Sequence, residues 1–433
     1  MRRWFAALLA CTLSLALIAG CSAPPEAESP GQTSSQSGQT TSPSPGQSSG
    51  QSTAQPEAPR REAQGVTDTT VKVGGFAAQS GPVAPIGISV RKGFEAYIKH
   101  VNDQGGVHGR TIDIVQIADD QFDGAKALTA AKQLVESDKV FALAPILGTA
   151  GYMASYDYFV EKRIPVIYPM TGVEQTAHPP QENIFAVQPN NYDEARILTQ
   201  YLVDELGLKK IAVLWQNSDM GEQGLKGVKD YIGELGAELV YDAPHDAKSV
   251  DFTTPVLNLK QKGAEGVVIM TTLAETIGIV KEMHKQGVAA VPITSYVNAD
   301  PVNVPALAGE AAVGLYAGGW VPVADPEDPN IKQFFEIYAK YNNGELPDAY
   351  GTAGFIAAEL LVKGLEDAGR DLTYESFIQA LEGLKDWSGI MARNLTYGPG
   401  ERAGVKAFYL NKVVEQDGNI VMIQVNKEPY KLR

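Results

Sequence analysis

Short apolar runs alternate along this chain with longer segments whose apolar residues recur every three or four positions. Val140–Ala144 is an unbroken apolar run, as in a strand buried on both faces. A turn over Pro145–Thr149 follows, then a helical segment from about Ala150 to Glu161, then a second buried strand, Ile164–Pro169, with Met170–Gly172 as its loop. Two strands around one crossover helix predict a parallel βαβ unit. In open α/β sheets small ligands sit beyond the carboxyl ends of the strands. Those ends carry Gly148 with Thr149, and Met170 with Thr171. Thr149 falls where a helix N-cap belongs, beside free backbone N–H groups and the positive end of the dipole. Such a place receives a carboxylate readily. Capping with no ligand is the simpler account of these residues taken alone.

The same alternation runs through most of the chain. Before this unit come a strand at Val71–Ala77, the loop Ala78–Pro82, and a helix with Val90, Phe94, Tyr97, Ile98 and Val101 on one face. Gly105-Gly106 stops that helix, and Thr111–Ala118 is the next strand. Asp119–Gly124 resembles a calcium loop but has Gln121 and Ala130 at the third and twelfth ligand positions, so it reads as a strand-end turn and a helix N-cap. Ala125–Ser137 is the helix it opens. After the short strand Ile184–Gln188 the pattern restarts. Helices at Asp193–Leu206, Gly224–Leu235, Phe252–Lys262 and Ala274–Gln286 lead to strands at Ile211–Trp215, Glu238–Asp242, Gly266–Thr271 and Pro292–Tyr296. Two sets of βα units predict an α/β chain with two lobes, each a mostly parallel sheet flanked by helices. Val313–Val321 is strand-like, three helices follow at about Ile331–Tyr341, Ala349–Glu366 and Tyr374–Leu384, and the end, Leu395–Lys412 and Ile420–Val425, is strand with Gly-rich turns.

The amino end departs from this pattern. Arg2 and Arg3 precede the apolar run Trp4–Ala19, which is too short to span a membrane and has the flanks of a signal peptide. Its ending, Ile18-Ala19-Gly20-Cys21, resembles a bacterial lipobox, which implies removal of residues 1–20 and lipidation of Cys21. Cys11 leaves with the signal, so no disulfide frame is expected. Residues 21–65 are nearly all Ser, Gln, Gly, Pro, Thr, Ala and Glu, a composition that cannot bury enough apolar surface to fold and reads as a disordered tether. A lipid on Cys21 would hold the protein to a membrane without a span. Residues 1–20 hold two Arg and no acid, so removing them lowers the formal charge from −15 to −17. That balance argues against nucleic acid and anionic membrane surfaces as partners.

Candidate chemistry is sparse. The five His stand at no metal-ligand spacing. There is no Gly-x-Ser-x-Gly elbow, phosphate loop or dinucleotide fingerprint, and no pair of carboxylates stands out as an acid/base couple. Neither catalytic residues, a metal nor a cofactor is expected, and the chain does not read as an enzyme.

Several motifs, weak singly, occur in a shared order. They are Val71-Lys72-Val73-Gly74 with Gln79-Ser80-Gly81-Pro82, the run Val101–Arg110, Asp119-Asp120, Pro145 before the Gly-Thr turn, Ile164-Pro165-Val166-Ile167 and Asp251-Phe252. Ala308-Gly309-Glu310, Val313-Gly314 and Leu395–Pro399 continue the series. From about Val71 to Val425 the chain thereby resembles the bacterial extracellular solute-binding proteins of the leucine/isoleucine/valine-binding type, which serve ABC importers.

The resemblance implies a two-lobe type I periplasmic-binding fold with three inter-lobe crossings, near Gln188, near Val321 and near Gly383–Ser388. The implied organisation is 66–188 for the first part of lobe 1, 189–320 for lobe 2, 321–385 for the second part of lobe 1, and 386–433 for the end of lobe 2 and the C-terminal strands. Ligand would lie in the cleft, the lobes would close on it, and the closed form would be presented to a membrane permease by a monomer anchored on the extracytoplasmic face of the cell membrane. The family's ligand positions map to Gln79, Ser80, Gly148, Thr149, Met170, Thr171, Met220, Thr272, Leu273 and Tyr296. The implied ligand is a branched-chain or related amino acid. Members often carry a Ser where Gly148 stands, a Tyr where Met220 stands, and an acid that pairs with the ammonium group where Tyr296 stands. Glu275, Asp300 or Asp219 would have to compensate for that acid. The alternatives are a non-amino-acid ligand (an amide, a carboxylic acid or an aromatic acid) on the same fold, or a ligand-sensing lipoprotein.

Overall fold

The computed structural model describes residues 63–321 and 328–433. The expected signal segment, Cys21 and all but the last three residues of the expected tether lie outside them. Those three residues are packed against the fold: Gln64 Nε2 donates to the carbonyls of Val135 (3.1 Å) and Val140 (2.9 Å). The end of the expected tether is therefore part of the fold, because these side-chain bonds tie it to the core.

The first sheet is assembled from β1 (Thr70–Phe76), β2 (Thr111–Ala118), β3 (Ala142–Leu147), β4 (Val166–Ile167), β5 (Pro169–Met170) and β6 (Ile184–Phe185). Its strands are parallel in the order β2-β1-β3-β4-β6, with β5 also on β3. The connecting helices are α1 (Ala84–Asp103), α2 (Gly124–Lys132) and α3 (Thr149–Lys162). The chain then builds α4 (Asn191–Asp204), β7 (Lys210–Gln216), α5 (Asp219–Tyr231), β8 (Glu238–His245), α6 (Thr253–Gln261), β9 (Gly266–Met270), α7 (Leu273–Gln286), β10 (Val291–Thr294), α8 (Asn303–Ala308) and β11 (Tyr316–Gly319). Three helices return to the first sheet: α9 (Pro329–Tyr341), α10 (Ala349–Ala368) and α11 (Tyr374–Glu382). Finally β12 (Ala407–Gln416), β13 (Asn419–Gln424) and β14 (Tyr430–Lys431) join the second sheet. Its order is β13-β12-β11-β10-β9-β7-β8, parallel from β8 to β11 and antiparallel beyond.

All residues of β3 and β9 are buried, because helices cover both faces of each sheet. Phe94, Phe141, Phe355, Phe377 and Leu361 fill one face of the first sheet, while Phe76, Leu134, Tyr152 and Phe159 fill the other. Two further clusters sandwich the second sheet. Helices α1 and α10 touch backbone to backbone. A Cβ on Gly93 would stand 1.9 Å from the Gly351 carbonyl, and one on Gly354 would stand 2.0 Å from that of Val90. Only glycine permits that approach.

Several boundaries differ from expectation for local reasons. β3 runs through Pro145 to Leu147, so the turn is only Gly148, and helix α3 starts at Thr149. The second strand is broken at Tyr168, whose φ of 51° interrupts the extended path between β4 and β5. Helix α5 begins at Asp219, which puts Met220 and Gly221 in its first turn rather than in a loop. Residues 395–406 form no regular strand, and the third crossing comes later than Gly383–Ser388. Met391, Ala392, Leu395, Tyr397 and Val405 still pack in the first core. Glu359 of α10 holds that segment by accepting backbone N–H groups from Ile390, Met391 (2.9 Å) and Ala392 (2.8 Å). Beside the first crossing, Ala403 bridges Ala186 and Val405 N donates to Val187 O at 3.0 Å.

Candidate ligand cleft

The carboxyl ends of both sets of parallel strands carry the candidate residues, because each βα turn lies there. At the end of β1, the backbone N–H groups of Gln79 (2.7 Å) and Ser80 (3.2 Å) donate to Asp119 Oδ1 at the end of β2. Donors on Ser80 and Gln79 hold the Asp119 carboxyl below its ordinary value. Gln79 Nε2 donates to the Ile117 carbonyl at 2.5 Å, and its Oε1 accepts no hydrogen bond among the described residues.

At the end of β3, Gly148 adopts φ 103° and ψ 142°, a conformation that favours glycine. Gly148, not Thr149, is the N-cap, and no side chain caps α3. The first N–H groups of an α-helix lack intrahelical acceptors, so this end is open to an anion. Thr149, now the first helical residue, directs its hydroxyl to that of Thr171, 2.7 Å away. Gly148 N donates to the Met170 carbonyl at 3.2 Å, which draws the two strand ends together. Met170 and Thr171 are buried.

The sequence places Phe122 only within a turn, yet its ring lies against Gly148. A Cβ there would stand 2.5 Å from the ring. Phe122 has φ 59°, its N–H donates to Asp120 Oδ1 at 3.1 Å, and it remains 42% exposed, so it offers an aromatic face at the strand ends. Asp120 is buried with Oδ2 unpartnered, and burial raises its carboxyl above the ordinary range.

On the second lobe, Met220 is half-buried on α5 and Leu273 half-buried on α7. Thr272 is the N-cap residue of α7, but its hydroxyl donates to Glu275 Oε2 and accepts no backbone N–H of the helix. Glu275 also accepts from Lys248 N at 2.7 Å. Asp300 accepts from Val302 N (2.9 Å) and Asn303 N (2.8 Å). Asp219 is exposed at the first position of α5. Tyr296 stands in a short 3-10 turn just after β10. Behind it, the fully buried Glu194 accepts from Tyr296 N (2.6 Å) and the Ser295 hydroxyl (3.0 Å), and burial pushes its carboxyl up to about 8.

Thr149 is thus brought to Thr171, and Tyr296 to Gln188, whose Nε2 donates to the Tyr296 hydroxyl at 2.6 Å. No hydrogen bond joins the Thr149 group to Met220, Thr272 or Leu273 among the described residues. The lobes touch elsewhere, at Glu174 N to Gln223 Oε1 (2.8 Å) and at His178 Nε2 with Asp193 Oδ2 (3.0 Å). A cavity of about 200 Å³ lined by Arg163, Glu182, Tyr374 and Glu382 lies at the opposite, amino-terminal edge of the first sheet, away from these strand ends. No group of His, Cys, Asp and Glu that could hold a metal occurs among the described residues.

Residues 70–419 match the family model described as periplasmic binding protein, a span from the first residue of β1 to the first of β13. The chain belongs to the periplasmic binding protein family. Among curated relatives of this family member, Leu/Ile/Val-binding protein homolog 7 of Brucella abortus (strain 2308) is 22% identical over 311 residues, which covers 68% of this chain and 76% of that one. Among solved structures, a fatty acid ABC transporter substrate-binding protein from Thermomonospora curvata is 23% identical with a TM-score of 0.69, covering 86% of this chain and 95% of that one. A solute binding protein of an ABC transporter from R. palustris, in complex with benzoate, is 22% identical with a TM-score of 0.64, covering 82% and 96%. The type I periplasmic-binding fold is therefore the fold of this chain, as the sequence motifs implied. No helix among the described residues is long and apolar enough to cross a membrane.

Proposed function

We propose that this periplasmic binding protein is the lipid-anchored, extracytoplasmic receptor of an ABC importer, and that it captures a small carboxylate with an apolar body. The lobes would close on the ligand, a population shift driven by its tighter binding to the closed form. The closed form would then dock on the membrane permease. Binding without turnover fits the absence of a nucleophile or metal motif in the sequence.

One observation carries the ligand class. The uncapped amino end of α3, with the Thr149–Thr171 hydroxyl pair beside it, suits an anion, while Glu194, Glu275 and Asp300 are engaged with internal donors. A buried ammonium group needs a carboxylate partner. Gln79 Oε1, Phe122 and Met220 supply an acceptor and apolar contact for the remainder of the ligand. A second reading, a branched-chain amino acid, rests on Asp219, whose exposed carboxylate at the start of α5 could face an ammonium group.

A thermal-shift comparison of benzoate, benzamide and leucine on the full chain tests this, because a ligand that binds only the folded form raises the melting temperature. Benzoate is expected to raise it and leucine not. A shift with leucine alone would overturn the carboxylate reading in favour of the amino acid.

A further inference from the structure

Tyr168 is fully buried, sits at the break between β4 and β5, and is held at a φ of 51°. Left-handed backbone at a bulky residue costs free energy and persists where the surroundings over-determine it. Two neighbours do so here. The Tyr168 ring meets Trp320, at the second crossing, edge-on at 5.9 Å. Its hydroxyl donates to Gln188 Oε1, in the first crossing, at 3.1 Å. The other end of the Gln188 amide, Nε2, donates to the Tyr296 hydroxyl at 2.6 Å.

The direction of this relay follows from its more buried end, because Tyr168 is fully buried and Tyr296 only partly. An amide oxygen only accepts and an amide nitrogen only donates. If the Gln188 amide were reversed, Nε2 would face Tyr168, and the fully buried Tyr168 hydroxyl would lose the one acceptor it has among the described residues. Leaving a buried donor unpaired is costly. Burial also holds the Tyr168 phenol above its ordinary value, so the proton stays on it. The amide therefore presents Nε2 to Tyr296. With its oxygen already accepting, Tyr296 keeps its own proton for a further partner.

We infer that Gln188 is a specificity-determining residue of the cleft: anchored by Tyr168, its amide obliges Tyr296 to act as a hydrogen-bond donor toward the ligand. The cleft then selects an acceptor, such as a carboxylate or carbonyl oxygen, at the Tyr296 position and rejects an ammonium group there. This inference rests on the carboxylate reading for its ligand, whose second carboxylate oxygen Tyr296 would meet once the lobes close, but the polarity of the relay is a property of the ligand-free protein as well.

The test compares benzoate with benzylamine, which share a ring and differ in offering an acceptor or a donor. Gln188→Glu replaces the amide by a group that accepts from both tyrosines, which turns the Tyr296 proton away from the ligand. Its benzoate affinity is expected to fall about tenfold to a hundredfold, the effect of removing one hydrogen bond to a charged group, and its benzylamine affinity to rise. Tyr168→Phe adds no charge and frees the amide to reverse, so the benzoate-to-benzylamine ratio should fall in the same direction by a smaller factor. A merely structural role would lower the melting temperature of both variants and leave that ratio unchanged, which would overturn the inference. If the wild type binds neither probe, the carboxylate reading fails separately. Neutron diffraction of the ligand-free, deuterated protein then decides the inference alone. The Tyr168 deuteron on the line to Gln188, and the Tyr296 deuteron off it, support it. A Tyr296 deuteron pointing at Gln188 overturns it.

Discussion

The hydroxyl oxygens of Thr149 and Thr171 stand 2.7 Å apart, although 22 positions separate them in the chain. One is the first residue of α3 and the other follows β5, so the contact joins two neighbouring strand ends at the uncapped start of a helix. Thr149→Val, which keeps the shape and removes the hydroxyl, is expected to weaken benzoate binding about tenfold or more. Thr171→Val should weaken it less, because Thr149 remains. Titration calorimetry measures both, and a Thr149→Val protein that binds like the wild type would remove the pair from the site.

Gly148 is constrained twice, by its φ of 103° and by the Phe122 ring against it. Gly148→Ala is expected to destabilise the fold by about 1–3 kcal/mol from the backbone alone, with a further steric contribution. Combining it with Phe122→Ala should recover the steric part only. A double-mutant cycle in urea measures that coupling, and additive effects would mean that the ring does not press on Gly148.

Glu194 gives stability a pH dependence. Its carboxyl is raised from the ordinary 4.5 to about 8 by burial, so the folded state holds the proton more tightly than the unfolded state. The stabilisation is fully present below pH 4.5 and is lost as pH rises through about 8. A shift of this size corresponds to a few kcal/mol in order of magnitude. Glu194→Gln stays neutral, and its amide can still accept from Tyr296 N and donate to Ser295. The variant should gain stability relative to the wild type as pH rises from 5 to about 8. Parallel denaturation curves across that range would contradict the assignment.

Glu359 serves three backbone N–H groups of residues 390–392. Glu359→Ala would leave them unpaired beside α10 and is expected to cost about 3 kcal/mol or more. Hydrogen exchange should rise first at Ile390, Met391 and Ala392, since these lose their acceptor. Unchanged protection there would show that another group takes over.

The proposed lipid anchor makes a cellular prediction. Cys21→Ser in the full chain removes the thiol that the lipobox reading modifies. The protein should move from the membrane fraction to the soluble fraction. Retention on the membrane of a variant from which residues 1–20 have been removed would mean that Cys21 is not the anchor.

Periodicity decided the strand–helix alternation, because apolar spacing is local: β2 lies at Thr111–Ala118, where the apolar pattern ends it. The three helices after the second lobe were legible for the same reason, as was the Asp123 cap of α2, which accepts from Lys126 N. The motif series also carried the family. What failed was set by partners far along the chain. The ring on Gly148 belongs to Phe122, in a turn whose composition suggested only capping. The break at Tyr168 depends on Gln188 and Trp320, and the late third crossing depends on Glu359 of α10. Tyr296 was legible as a departure from the family's acid, but the hydrogen bond it accepts comes from Gln188, 108 residues away. Backbone periodicity is written into each segment by itself. The direction of a hydrogen bond between segments exists only once tertiary packing has buried one end of it and left a single way to satisfy the proton.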